Sequence, residues 1–265
     1  MNTIAVRPSI AAIPAETRVL PGARTLRLER EGASRAVLVL HGFTGYVGEI
    51  RFLAEHLHQA GFSVLAPRLP GHGTNSRDFR ASGGNDWWRA SVDAYLDVAS
   101  RYDQVMVVGL SMGGVLSALL AAQFPLARAA LLAPALEIAH PLVPLTPFLR
   151  HLVPPLRKPE KEPSEDPERE YLAREYWNWQ WPRETSELYR LVKLGRRALE
   201  KITCPTLTVV SAQDDTVPLS VAGRIERSIA ATERQTLVLE ESGHVITDGP
   251  EKETVARAVS EWFLR

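Results

Sequence analysis

The sequence predicts an α/β protein, an open and mostly parallel sheet with helices on both faces. Three observations carry this. Short, mostly apolar runs at 36–40, 62–66, 105–108, 128–133 and 206–210 read as strands, and the continuous apolar run 36–40 has the character of one buried on both sides. Stretches of helical period separate them, so the first half of the chain alternates β-α-β-α-β-α-β. Polar loops punctuated by Gly or Pro follow these strands, and in such sheets the functional groups gather at the strands' carboxyl ends.

Taken in order, residues 24–30 alternate, with Leu26 and Leu28 on one side, and read as a half-buried edge strand. The run 36–40 is a buried strand that stops at His41-Gly42-Phe43-Thr44-Gly45. Ile50, Leu53, Leu57 and Ala60 recur at helical spacing before Gly61, a helix stop. Strand 62–66 ends in Pro67-Arg68-Leu69-Pro70-Gly71-His72-Gly73. Asp86 is placed to cap a helix whose inner side carries Trp87, Trp88, Val92, Tyr95, Leu96 and Ala99. After strand 105–108, a turn and a helix at 115–123 lead to strand 128–133.

At Pro134 the alternation stops. Residues 134–202 are rich in proline and charge and are expected to form a small cap inserted into a core made of 1–133 and 203–265. Residues 157–170 mix both signs of charge and read as a solvated surface segment. Within them Asp166-Pro167-Glu168 has the form of a helix start. Residues 176–181 are dense in aromatics, and 187–199 space Leu188, Leu191, Val192, Gly195, Ala198 and Leu199 as a helix does. The sheet resumes with strand 206–210, a helix at 219–230, strand 236–239 and a closing helix at 251–264 that buries Val255, Val259 and Trp262.

Composition narrows the function. The chain has 265 residues and 31 basic against 31 acidic side chains, so no net field draws nucleic acid or anionic lipid over its surface. One cysteine, Cys204, precludes an internal disulfide and fits a reducing compartment; beside Pro205 it reads as a small buried hydrophobe. Residues 10–14 are too short and interrupted for a secretory leader, and no apolar run reaches membrane-spanning length. A cytoplasmic protein, monomeric or a small homo-oligomer, with no nucleic-acid partner and no stable membrane insertion, is the expectation.

The chemistry is read from Gly109-Leu110-Ser111-Met112-Gly113 between strand and helix. A serine at a strand-to-helix turn sits in strained backbone and exposes its hydroxyl, and neighbours two positions away pass too close for a Cβ. A serine hydroxyl also needs a base, and the base an orienting group. Of seven histidines, only His244 follows both the last strand and a candidate acid. His72 lies in a strand-end loop and could serve instead; His41 is expected to brace its loop, and His56 and His58 to be solvated. His140 and His151 lie in the insertion. Asp214 is preferred over Asp215 as the acid because it leaves its strand first; Asp248 is an outside candidate that follows the histidine, and otherwise reads as a cap for the last helix. Two amides, of Met112 and Phe43, are expected to form an oxyanion hole.

Together these residues resemble the α/β-hydrolase superfamily, and within it the small bacterial carboxylesterases and monoacylglycerol lipases. The resemblance rests on His41-Gly42-Phe43-Thr44-Gly45, Pro70-Gly71-His72-Gly73-Thr74, Asp86-Trp87-Trp88, Gly109 to Gly114, Cys204-Pro205, Asp214-x-x-Val217-Pro218 and Ser242-Gly243-His244-Val245, over 36–133 and 203–264. It implies an α/β-hydrolase fold, Ser111, Asp214 and His244 as a triad, and Phe43 and Met112 as oxyanion donors. The activity expected is hydrolysis of short- to medium-chain acyl esters, small molecules, without metal or organic cofactor. A monoacylglycerol lipase is the alternative, and a perhydrolase, C–C hydrolase, lactonase or non-catalytic receptor the more distant ones. Phe43, His72, Trp177, Trp179, Val217 and Val245 are the candidate substrate-binding residues. The insertion departs from the resemblance, being Trp- and Pro-rich where monoglyceride lipases hold polar residues; its aromatics fit either an acyl channel or a small core under a lid.

Overall fold

The computed structural model describes residues 16–150, 152–159 and 164–265. The expectation for residues 10–14, and His151, lie outside them. The first half holds β1 (Leu26–Leu28), β2 (Arg35–Leu40), α1 (Arg51–Gln59), β3 (Ser63–Ala66), α2 (Ser76–Ala81), α3 (Gly84–Ala99), β4 (Gln104–Leu110), α4 (Met112–Ala121) and β5 (Arg128–Leu132). Segment 134–202 adds α5 (Thr146–Leu149), β6 (Leu156–Arg157), α6 (Pro167–Leu172), β7 (Trp179–Gln180) and α7 (Pro182–Ala198). The chain closes with β8 (Thr206–Ser211), α8 (Ser220–Ser228), β9 (Arg234–Leu239) and α9 (Lys252–Leu264).

Among the described residues the main sheet has seven strands in the order β1-β3-β2-β4-β5-β8-β9, parallel except for the edge strand β1. The chain leaves β2 toward one edge through β3, then returns past it to β4. Strands β2 and β4 therefore lie side by side where the winding reverses, with Leu40 opposite Gly109 near their carboxyl ends. A crevice opens at such a switch point, and the loop after β2 and Ser111 after β4 flank it.

Alternation along each strand divides the interior in two. Val37, Val39, Met106, Val108, Ala130 and Leu132 pack with α1 and α9, including Leu53, Val255 and Trp262. Leu38, Leu40, Val105, Val107 and Leu131 face the other way, toward Trp87 and Val115. Helix α4 is buried at every residue from Met112 to Ala121, because α7 covers it. Gly195 makes that close approach possible: a Cβ there would lie 2.8 Å from Val115 Cγ1 and 2.9 Å from Leu136 Cδ2.

Several expectations are corrected. On α3 the inner row is Trp87, Val92, Ala94, Tyr95 and Val98, whereas Ala99 and Leu96 face solvent, Leu96 being 47% exposed. The row follows positions 87, 91, 94/95 and 98, and Leu96 lies a quarter-turn away. Asp86 does cap α3, but from its first turn, accepting the Gly83 N–H at 2.9 Å. Helix α2 was not legible as an element; Asn75 caps it by accepting the Arg77 and Asp78 N–H groups. The charged run 157–170 is anchored, not simply solvated: the Glu168 carboxylate accepts the Gly22 N–H at 3.0 and 3.1 Å, and Arg169 pairs with Asp248. Asp248 thus ties segment 134–202 to the last loop, and Glu251 takes the position before α9 while accepting the Glu241 and Ser242 amides. His56 and His58 are half-buried, meeting Ser260 Oγ and the Phe62 carbonyl.

Candidate active site

The turn at Ser111 is fixed by backbone contacts that leave almost no choice of residue. Ser111 has φ 57° and ψ −113°, in the region side chains avoid, at a cost of roughly 1–3 kcal/mol. Its N–H donates to the Leu132 carbonyl at 2.9 Å, and its own carbonyl accepts from Val115 and Ala135. A Cβ at Gly109 would lie 2.2 Å from the Gly113 carbonyl carbon, and one at Gly113 would lie 2.1 Å from the Leu40 carbonyl oxygen. The glycine spacing in the sequence is therefore steric closure around the serine. Only 8% of Ser111 is exposed.

Three separate elements bring acid, imidazole and hydroxyl into line. His244, in the loop between β9 and α9, faces Ser111 Oγ with Nε2 at 2.8 Å and Asp214 Oδ2 with Nδ1 at 2.8 Å. An ionised carboxylate only accepts, so Nδ1–H donates to Asp214 and Nε2 is left to accept the serine proton. Burial pushes the Asp214 carboxyl up, but the hydrogen bond and charge of His244 and the Val217 and Thr216 amides outweigh it and hold it below the usual carboxylate range. Those amides donate to Asp214 Oδ1 at 2.9 and 2.8 Å. Asp215 is exposed and, among the described residues, accepts only the neighbouring Thr216 hydroxyl.

Met112 opens α4, so its N–H has no acceptor inside the helix and carries the positive end of the helix dipole. The loop after β2 comes close to it: a Cβ at Gly42 would lie 3.3 Å from Ser111 Cβ and 3.8 Å from Ser111 Oγ. This loop is clamped. His41 is fully buried, donating from Nδ1 to the Gly42 carbonyl at 3.0 Å and accepting the Leu69 N–H on Nε2 at 3.1 Å. Burial lowers its pKa to about 4, so it stays neutral and braces. Thr44 is held at φ 57°, and the Trp177 indole N–H donates to its carbonyl at 3.1 Å.

The remaining candidates are distributed unevenly. Phe43 is half-buried against the rings of Phe79 and Trp87. Val217 is buried beside Asp214 and Val245 half-buried beside His244. Trp179 donates to the Arg174 carbonyl at 2.9 Å and lies beside Trp181. His72 has no exposed surface; His41, Phe79 and Trp87 enclose its ring, so it offers no face to a ligand. Its Nδ1 faces the Pro70 carbonyl, and burial keeps its pKa well below the ordinary value.

Sequence reasoning missed the polar tips of the aromatic cluster. Tyr176 Oη accepts the Thr74 N–H at 2.9 Å and donates to the Gly71 carbonyl, while Trp177 reaches Thr44. A buried Tyr or Trp needs a partner for its O–H or N–H, and that rule was the available signal. Glu49 and Thr247 were also missed: the Thr247 hydroxyl donates to the Glu49 carbonyl at 2.7 Å, joining the loop of His244 to that of Phe43.

A hydroxyl on a strained strand-to-helix turn, lined up with imidazole and carboxylate, is the site of a serine hydrolase. The family model that matches, over residues 37–257, is that of the alpha/beta hydrolase family. A carboxylesterase of Bacillus subtilis (strain 168) is 30% identical over 236 residues, covering 88% of this chain and 94% of that one. A thermostable monoacylglycerol lipase of Bacillus sp. (strain H-257) is 30% identical over 245 residues, covering 89% and 92%. Among solved structures, one from a study of the metagenome-derived lipolytic enzymes LipS and LipT superposes with a TM-score of 0.83 at 32% identity, covering 94% of this chain and all of that one. The chain belongs to the alpha/beta hydrolase family, and it is a serine hydrolase of the carboxylesterase and lipase type.

Proposed function

We propose that the protein hydrolyses carboxylic esters of short- to medium-chain acyl groups, with Ser111 as nucleophile, His244 as base and Asp214 as its orienting acid. The observation that carries this is the unbroken line from Asp214 through His244 to Ser111, each step at 2.8 Å. Ser111 Oγ attacks the ester carbonyl carbon as its proton passes to His244 Nε2. The Phe43 and Met112 amides receive the developing oxyanion. The carbon–oxygen bond to the alcohol breaks, and the alcohol leaves with the proton from His244. Water then attacks the acyl-serine, again giving a proton to His244; the carboxylic acid departs and the serine is restored.

Residues 134–202 act in this reading as a cap over the site. Support comes from Trp177 and Tyr176, which join that segment to the loops after β2 and β3. Monoacylglycerols are the second substrate class, favoured by the likeness to the Bacillus monoacylglycerol lipase. The test is hydrolysis of p-nitrophenyl esters from acetate to palmitate, with 1-monoacylglycerols alongside, by wild type and Ser111→Ala. Turnover lost in the variant upholds the reading. The acyl optimum sizes the pocket, and the monoglyceride rate decides between substrate classes. A folded wild type that cleaves no ester overturns the reading.

A further inference from the structure

The loop that carries His244 is supported unevenly. After the histidine it is pinned: the Ile246 N–H donates to the His244 carbonyl at 3.0 Å, and the Thr247 hydroxyl reaches the Glu49 carbonyl at 2.7 Å. Before the histidine comes Gly243, which is exposed, and a Cβ there would meet nothing within 4 Å. Support on that side falls to Ser242, which has no exposed surface. Whatever holds Ser242 decides where the histidine begins.

Glu251 holds it. This residue stands at the position before α9, where an acidic side chain ordinarily accepts the first amides of its own helix, yet it makes no such bond. Its carboxylate turns back nine to eleven residues instead. Oε2 accepts the Glu241 N–H at 3.0 Å, the Ser242 N–H at 2.9 Å and the Ser242 hydroxyl at 2.8 Å, and Oε1 accepts the Glu240 N–H at 3.3 Å. Successive N–H groups aimed at one point make a concavity for an anion, and here the chain fills it with a carboxylate of its own. Slight burial pushes the Glu251 carboxyl up, but the Ser242 hydroxyl and the Glu241, Glu240 and Ser242 amides outweigh it and hold it below the usual carboxylate range.

The bonding continues into the loop of the acid. The Ser242 carbonyl accepts the hydroxyl proton of Ser211, which ends β8 and is 2% exposed. Ser211 Oγ in turn accepts the Gln213 N–H at 3.2 Å, and Gln213 precedes Asp214. One run of hydrogen bonds therefore leads from Glu251 through Ser242 and Ser211 to the residue before the acid. It spans the two loops whose side chains meet at His244 Nδ1 and Asp214 Oδ2.

We propose that Glu251 is a positioning residue for the reaction: through Ser242 and Ser211 it fixes the loops of His244 and Asp214 against each other and keeps His244 Nε2 on the Ser111 hydroxyl. The inference rests on the reading of His244 as the base. The test is turnover of p-nitrophenyl acetate by Glu251→Ala, Ser242→Ala, Glu253→Ala and His244→Ala, each beside a melting curve. A misplacement of about 1 Å costs on the order of 100-fold in rate. Glu251→Ala should lower kcat by about 10- to 100-fold and change KM by less than about twofold, since its oxygens serve the loop. It should also broaden or abolish the far-downfield proton resonance of His244 Nδ1–H, which a role confined to helix stability would leave in place. Ser242→Ala removes the hydroxyl but keeps the amide, and should lower kcat by about fivefold. Glu253, the exposed acid in the first turn of α9, should tolerate alanine with kcat and resonance unchanged. Where Glu251→Ala does not fold, Ser242→Ala decides in its place. A wild-type kcat with the resonance intact overturns the proposal, as does a rise in KM alone. An equal loss in Glu253→Ala overturns it too, assigning the effect to the start of the helix. A folded His244→Ala that still cleaves the ester overturns the reading of the base instead, so the two failures are distinguishable.

Discussion

The turn at Ser111 and the exposed side chains of segment 142–156 obey opposite rules. Around the serine, atoms lie so close that positions 109 and 113 exclude any side chain, and Ser111 holds a backbone conformation it would not adopt alone. In that segment, Phe148 and Leu152 keep more than three quarters of their surface in solvent. Chemistry needs atoms held in place before the substrate arrives, so strain is tolerated where packing over-determines it. Exposed side chains away from the site touch few neighbours, so little constrains them. The two regions should therefore answer substitution very differently.

The largest effect expected is at the serine. Ser111→Ala should cut kcat by about 10⁴-fold or more with the fold retained, measured by ester turnover beside a melting curve. Asp214→Asn should cost on the order of 10⁴-fold in kcat, since an amide can donate to Nδ1 and leave the histidine in the tautomer whose Nε2 is protonated. Asp215→Asn should change it by less than about threefold, because Asp215 meets only Thr216. Equal losses at the two aspartates would break the assignment.

A steric test follows. Gly113→Ala drives a methyl group into the Leu40 carbonyl and should cost about 3 kcal/mol or prevent folding. Phe148→Ala, at 77% exposure, should stay within about 0.5 kcal/mol of wild type; urea unfolding compares the two. A Phe148→Ala loss as large as that of Gly113→Ala would erase the contrast.

Smaller effects sharpen the boundary between the turn and segment 134–202. Trp177→Phe keeps the ring but removes the donor to Thr44 O, and should lower kcat by about fivefold with little change in KM, the worth of one hydrogen bond. Trp179→Phe, whose donor partner is the Arg174 carbonyl in its own segment, should leave kcat near wild type. A KM effect at Trp177 would instead make it a substrate contact.

Glu49 supplies a pH test. Burial raises its pKa to about 7, with Asp248 adding to the rise and the Tyr46 amide and Arg169 opposing it. Because the folded value lies above the unfolded one, the folded state holds the proton longer, and stability falls as pH rises from about 4.5 to 7. Glu49→Gln should flatten that decline, its melting temperature gaining on wild type between pH 5 and 8. A gain independent of pH would assign Glu49 another role.

Much of the fold was legible because its signals are local. The runs at 36–40 and 105–108 are apolar on both faces, as strands covered on both sides must be. The glycines flanking Ser111 marked the turn because their reason is steric and lies within five residues. Leu96 failed because one helical period fits several faces, and only contact with α4 and the sheet selects among them. Helix α2 was missed because six residues carry too little period to stand out from a loop. Asp248 was read as a cap because its partner, Arg169, lies 79 positions away.

By itself, the sequence determined the order of strands and helices, the position of the strained serine, and the acid and histidine that chain order allows. Each of these depends on spacing along the backbone, which the chain carries before it folds. The tertiary structure alone decided which aromatic tips hold the loop after β2 and which apolar side chains stay outside. Those outcomes depend on residues far apart in sequence becoming neighbours, and no local pattern records that.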